Sequence, residues 1–161
     1  MGLVGEPMEN SDWLKRHGRQ LLRAGALLFL LGLLVGLAVQ RFAIPRLALS
    51  THLLGIMQGV FLMVAGLVWP HLRVGKRASR IGSALAAYGC LAAWTANLYG
   101  AVWAAGGSMV PMASGGVQGT AAQELAIRVL LRSSALSLIG AVLLMLWGLR
   151  SRAVPAPRRD G

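Results

Sequence analysis

The stretch LALSTHLLGIMQGVFLMVAGLVW, Leu47 to Trp69, contains no Asp, Glu, Lys or Arg. A helix that crosses the hydrocarbon core of a bilayer needs about 20 mostly apolar residues, and this run is long enough. Three others resemble it: roughly Leu21 to Val39, Ile81 to Ala104 and Ile127 to Leu149. Pro45 separates the first two runs and Pro70 ends the second. The four runs predict an all-α integral membrane protein, a four-transmembrane-helix bundle with helices over about 21–39, 47–69, 81–104 and 127–149. The first run is read as a helix rather than a signal peptide, because Arg41 follows it and no clear small-x-small cleavage site does.

Composition agrees. Of 161 residues, 56 % are apolar and 13 % charged, against about 25 % charged in a soluble domain. The net charge of +11 raises the question of nucleic acid, and the placement of the charges answers it. Lys15, Arg16, Arg19 and Arg23 precede the first run. Arg73, Lys76, Arg77 and Arg80 lie between the second and third, and Arg150, Arg152, Arg158 and Arg159 follow the last. Basic residues on alternate loops are the positive-inside pattern, not a basic face for phosphates, so no nucleic-acid partner is expected. The pattern puts the N-terminal segment 1–20, the loop from Pro70 to Arg80 and the tail 150–161 in the cytoplasm. The first loop (Arg41, Arg46) and the later Gly-rich segment then lie outside.

Asn10 or Ser11 is placed to cap the first helix, with Asp12 in its first turn. The C-terminal VPAPRRDG has no feature that would order it. Cys90, the only cysteine, stands inside an apolar run; it excludes an intrachain disulfide and a Cys-x-x-Cys motif, and reads as a packing residue. Gly32-x-x-x-Gly36 and Gly55-x-x-x-Gly59 permit close helix contact, and Ser133, Ser137 and Gly140 put small groups on one face of the fourth helix. The segment Gly106 to Glu124, GGSMVPMASGGVQGTAAQE, suits a loop folded back over the bundle end and a plain connector equally well.

Polar side chains at membrane depth are costly and mark function. The apolar runs carry few: His52 and Gln58, then Trp94, Asn97 and Tyr99, then Glu124, Arg128 and Arg132 at the start of the fourth. Cys90, Trp94, Asn97 and Ala101 form one helical stripe, and Glu124, Arg128 and Arg132 another. With His52 these stripes are expected at one depth, around a closed pocket under the Gly-rich loop. Each residue also has a structural reading. His52 suits a single hydrogen-bonded histidine, Asn97 a helix bridge, Glu124 and Arg128 an ion pair at a helix start. Arg132 suits a snorkelling cation, and Trp94 and Tyr99 an aromatic belt.

The stretch Leu49-Ser-Thr-His52-Leu-Leu-Gly55-Ile-Met-Gln58-Gly59 resembles the second-helix motif of bacterial hydroxylaminobenzene mutases. Pro111-Met112, Gly115-Gly116, Gly119-Thr120 and Gln123-Glu124 resemble that family's loop signature, so the resemblance runs from about Leu47 to Arg150. The family motif has Asn where this chain has Gln58, which keeps an amide but moves it. Styrene oxide isomerases are distantly similar: they share the four-helix plan, a His-x-x-Gly/Pro-x-x-Asn-Gly-like stretch and an Asn in helix three. They have a carboxylate before that Asn; Ala93 and Trp94 stand here, which argues against a styrene oxide substrate.

The resemblance implies a membrane isomerase of the bacterial inner membrane, rearranging aryl hydroxylamines to 2-aminophenols. It implies a homotrimer and haem b, with His52 as axial ligand to the iron and Asn97 at the substrate. In that scheme His52, Asn97 and Glu124 are catalytic, and Gln58, Trp94, Tyr99, Met112 and Arg128 line the substrate pocket. A ferric haem would act as Lewis acid on the departing hydroxyl, and Glu124, paired with Arg128, would shuttle the proton; without haem, Glu124 or His52 must be the acid itself. Two other functional classes fit the sequence less well. A haem or quinone electron carrier would place two histidines at one depth, but His17 and His71 lie on the cytoplasmic side, away from His52. A transporter subunit would need an acid near the midplane, and Glu124 sits at a helix end.

Overall fold

The computed structural model describes the backbone of residues 6–150 and the side chains from Asp12 onward. Among the described residues the chain is helical, with no strand. The helices are α1 (Glu6–Leu37), α2 (Pro45–Val68), α3 (Lys76–Trp103), a single turn α4 (Pro111–Ser114) and α5 (Ala121–Gly148). Short 3-10 turns at Val39–Arg41 and Trp69–His71 join α1 to α2 and lead from α2 towards α3.

α1 does not begin near Leu21. It is already helical at Glu6, so Asn10 and Ser11 lie inside the helix and do not cap it. The charged residues after Asp12 end the apolar run but not the periodicity. Leu14, Leu21, Leu28 and Val35 recur every seventh residue and all are buried, a heptad seam that continues straight through the basic segment. The tail beyond Arg150, including VPAPRRDG, lies outside the described residues.

A second seven-residue series explains how α1 meets α2. A methyl group on Gly18 would lie 2.6 Å from the Gly66 carbonyl oxygen, and one on Gly25 would lie 2.6 Å from that of Gly59. On Gly32 it would touch the Gly55 carbonyl carbon at 3.0 Å. The two helices therefore pack backbone to backbone along an antiparallel glycine seam. This is the most extensive interface in the molecule, followed by α3 against α5.

α3 occupies the centre and touches α1, α2 and α5. Its buried face is made of small residues, among them Ser79, Gly82, Ala86, Gly89, Cys90, Ala93 and Gly100, which lets neighbours approach closely. Leu138 of α5 packs over Gly89 and Leu144 over Gly82. α5 makes no extensive contact with α1 or α2, so the long helices do not close into a ring. Asp12–Leu37, Pro45–His71 and Ala121–Gly148 are long and apolar enough to cross a membrane. α3, expected as a fourth such span, does not reach that measure. Its partners are largely protein, which relieves it of the apolar composition that lipid demands. The outer faces are rich in exposed leucines, including Leu37, Leu67, Leu136, Leu143 and Leu146, a surface suited to lipid and not to water.

The start of α1, the turn after α2 and the end of α5 share one end of the molecule. There the Trp69 indole donates to Ser79 Oγ at 2.8 Å, Ser79 Oγ lies 3.3 Å from His17 Nδ1, and Arg73 N–H donates to the Gly148 carbonyl at 2.9 Å. The Gly-rich segment lies at the opposite end. It folds back over the bundle: Arg46 at the start of α2 donates to the Met112 carbonyl at 3.1 Å.

Candidate functional site

His52 follows the glycine seam by one turn. Its Nδ1 lies 2.8 Å from the Gly32 carbonyl oxygen. A carbonyl only accepts, so Nδ1 carries a proton, and the neutral ring in this tautomer keeps its lone pair on Nε2. Gly36 completes the arrangement, because a methyl group there would run into the imidazole. The ring borders a groove of about 450 Å³ lined by Leu33, Gly36, Leu37, Val39 and Leu49. The groove opens outward between α1 and α2, away from α5.

Across α2 lies a second polar group. Gln58 shares a helix face with Leu47 and Trp69, and both of these meet α3: Leu47 lies against Gly100, and Trp69 packs on Gly82 and donates to Ser79. Gln58 thus faces α3, where its Oε1 is buried without a hydrogen-bond partner. Trp94 Nε1 is likewise buried and unpartnered, and it stands 2.9 Å from where a Gly55 methyl would be. Buried polar groups are normally satisfied, so an orphan acceptor and an orphan donor at one interface call for a third party. Asn97, one turn beyond Trp94, donates from Nδ2 to the Ala93 carbonyl at 3.0 Å, leaving Oδ1 unclaimed among the described residues.

Glu124, expected as a proton shuttle paired with Arg128, is held by the Gly-rich segment. Its carboxylate, buried in the first turn of α5, accepts from Gly106 N–H at 2.6 Å, Gly119 N–H at 3.1 Å, Ser108 N–H at 3.3 Å and Ser108 Oγ at 2.5 Å. A carboxylate offers about four acceptor positions, and the loop takes all of them. No ion pair with Arg128 forms among the described residues. Glu124 clasps the two ends of the Gly-rich segment, beside a capping box in which Thr120 and Gln123 bond each other's backbone.

The expected single pocket is therefore divided. Trp94 meets α2 at Gly55, with Asn97 one turn further along α3 and Gln58 one turn from Gly55 on α2, while His52 turns to Gly32 and Gly36 of α1. Tyr99 is exposed and stacked on Trp103 with ring centroids 4.5 Å apart. Met112 is 87 % exposed, so both side chains stand at the surface of the described chain. Arg128 is half-buried and lies apart from His52. Sequence reasoning missed the roles of Gly36 as the seat of the imidazole and Ser108 as the principal partner of Glu124. The Gly32-x-x-x-Gly36 spacing was a signal for the first; nothing in the sequence pointed to the second. Among the described residues no group of three or more His, Cys, Asp or Glu side chains is placed to hold a bare metal ion.

The model of the styrene oxide isomerase family matches residues 17–150, which takes in every one of these side chains. The chain belongs to the styrene oxide isomerase family. Within that isomerase family it is similar to hydroxylaminobenzene mutase HabB of Ectopseudomonas oleovorans, 48 % identical over 140 residues, 87 % of this chain and 84 % of the relative. Hydroxylaminobenzene mutase HabA of the same organism is 34 % identical over 129 residues, covering 80 % of this chain and 96 % of the relative. No solved structure matches the chain. The protein is thus an isomerase of the mutase kind, and the resemblance first read in the His52 and Gly-rich stretches extends across most of its length.

Proposed function

We propose that this isomerase rearranges aryl hydroxylamines of the hydroxylaminobenzene type to 2-aminophenols. The N–O bond breaks, a C–O bond forms at the ortho carbon and the ring proton there is lost to the nitrogen side, so atoms balance with no net oxidation. The mutase relatives support the substrate class. The observation that carries the site is the imidazole of His52, fixed through Nδ1 on the Gly32 carbonyl.

Haem b fits this residue. A metal-ligating histidine usually donates its other ring N–H to a carbonyl or carboxylate, and His52 does so, with Nε2 left free beside an apolar groove. His52 would hold the iron, with Leu33, Leu37 and Leu49 against the macrocycle. When bound, a ferric haem supplies a Lewis acid for the departing hydroxyl oxygen.

The chain's own groups supply orientation. On the α3 side of α2, apart from the iron that His52 would hold, the Trp94 N–H suits an oxygen that gains negative charge as N–O cleavage proceeds, a role it would fill without the haem. The Gln58 carbonyl oxygen suits the hydroxylamine N–H, and Asn97 Oδ1 offers a further acceptor. Surrounding apolar side chains keep bulk water from intercepting the electrophilic ring. Glu124 acts through the loop it holds rather than on the substrate. We also propose a homotrimer, as the family resemblance implies, in which a neighbouring copy would cover the outward-opening groove beside His52. We further propose four membrane crossings in a bacterial inner membrane, with the basic end of the molecule in the cytoplasm.

The test is incubation of membranes carrying the protein with hydroxylaminobenzene, followed by chromatography. We expect 2-aminophenol, its loss with His52→Ala, and a Soret band from protein made with haem supplied. Untouched substrate with folded, haem-loaded protein would overturn the assignment.

A further inference from the structure

The basic end of the molecule holds two cavities stacked along the seam between α1 and α3, which run parallel. The upper one, about 470 Å³, is lined by Asp12, Trp13, Lys15, Arg16, Arg19 and Lys76. Four of its six lining residues are cations, and they come from two helices. Asp12 is the only carboxylate there, and no ion pair joins it to any of the four among the described residues. The lower cavity, about 390 Å³, begins with His17, Gln20, Arg80 and Ser83 and continues between Leu21, Ala24, Ala84 and Ala87. Polar groups thus occupy its basic end, and small apolar side chains leave a slot that descends towards the middle of the helices.

We infer that this seam binds an anionic phospholipid, with its phosphodiester among Arg16, Arg19, Lys76 and Arg80 and an acyl chain in the slot beside Ala24 and Ala84. The charge sign selects a phosphate, and guanidinium groups match its oxygens in pairs. A basic pocket between membrane helices near the headgroup level suits an anionic lipid. The slot distinguishes a lipid from free phosphate: a soluble anion has no use for an apolar channel below its binding groups. Ala24, Ala84 and Ala87 matter by being small, since larger side chains at these positions would fill the space. The site lies at the opposite end of the molecule from the Gly-rich loop, and it does not depend on which substrate the enzyme isomerises.

The experiment is native mass spectrometry of the full-length protein in mild detergent, titrated separately with dioleoyl phosphatidylglycerol, dioleoyl phosphatidylcholine and inorganic phosphate. We expect retained phosphatidylglycerol, weaker retention of phosphatidylcholine and no competition from phosphate at comparable concentration. Replacing Arg16, Arg19 and Lys76 together by Gln should weaken phosphatidylglycerol binding on the order of 100-fold, since each cation near the headgroup contributes about a five-fold factor. Ala84→Leu should weaken it too, by occupying the slot. Lys76→Gln alone, at an exposed helix start, carries the same test should the triple variant fail to fold. Equal binding of the two lipids, or unchanged binding in the charge variants, would overturn the proposal. Phosphate binding as tight as the lipid would reduce the site to one for free anions and overturn the lipid assignment. A second copy of the chain covering the seam, seen as cross-linking from Ala84→Cys, would do so as well.

Discussion

Gly36 and the imidazole of His52 are in direct contact, so close that any side chain on Gly36 would occupy the place of Nδ1. The contact continues the glycine seam of α1 and α2, with an imidazole standing where the other pairs have two backbones. The Nδ1 edge of the ring is seated against Gly36 and bonded to the Gly32 carbonyl at 2.8 Å, both on α1.

Gly36→Ala should therefore act on His52 without removing it. The methyl group would lie 2.7 Å from Cε1, pushing the ring off the Gly32 carbonyl. We expect a fall of about 10- to 100-fold in haem affinity or isomerisation, the usual cost of losing a group that orients a ligand. Haem titration of the folded variant, beside product chromatography, checks it. An unaltered titration would mean that the ring's seat does not matter.

Gly25→Ala tests the seam itself. The new methyl group meets the Gly59 carbonyl at 2.6 Å and the Met63 backbone nitrogen at 2.8 Å, and neither is the end of a flexible side chain. Overpacking of this kind costs about 1–3 kcal/mol. Gly75→Ala is the control, because nothing lies within 4 Å of its added methyl group. Thermal unfolding in detergent should separate the two variants clearly.

Glu124→Gln should release the Gly-rich segment. The amide replaces one acceptor oxygen by a donor NH₂, which then faces the N–H groups of Gly106, Ser108 or Gly119. Hydrogen bonds to a charged group are worth about 1.5–3 kcal/mol each, so the loss is felt first as local opening. We expect faster proteolysis or amide exchange over residues 106–119, with Ser108→Ala giving a milder version of the same change. A variant that loses activity while the loop stays fully protected would restore the carboxylate to a chemical role.

Trp94→Phe removes an N–H that has no partner among the described residues. If the indole only fills space, the change is conservative and activity survives. We expect stability within about 1.5 kcal/mol of the parent and a drop in kcat on the order of 100-fold, as for loss of a preorganised donor. Paired unfolding and turnover measurements decide between these.

The helical class was legible in the sequence, because apolar runs of spanning length have few alternative uses, but α3 and α5 begin at Lys76 and Ala121, ahead of the apolar runs that open at Ile81 and Ile127. The first helix was legible only in part. Its basic segment marks where an apolar run ends, and the heptad of Leu14, Leu21, Leu28 and Val35 shows that the helix does not end there. The site was legible as a list of residues and not as an arrangement. His52, Gln58 and Trp94 stand out because polar groups are rare at that depth, but spacing along one helix does not say which neighbour a face will meet.

What the sequence determined by itself was the helical class, the basic and neutral ends, the membership of an isomerase family and the unusual residues. The class, the basic end and the unusual residues follow from composition or local order along one chain, while the family follows from the resemblance of its motifs to known isomerases. What only the tertiary structure decided was the pairing. It turned His52 towards α1 and Gln58 towards α3, placed α3 in the centre, and gave Glu124 to the loop rather than to Arg128. These outcomes depend on where glycines let two backbones touch. That is a matter of shape between helices, and it is settled only when all of them are packed together.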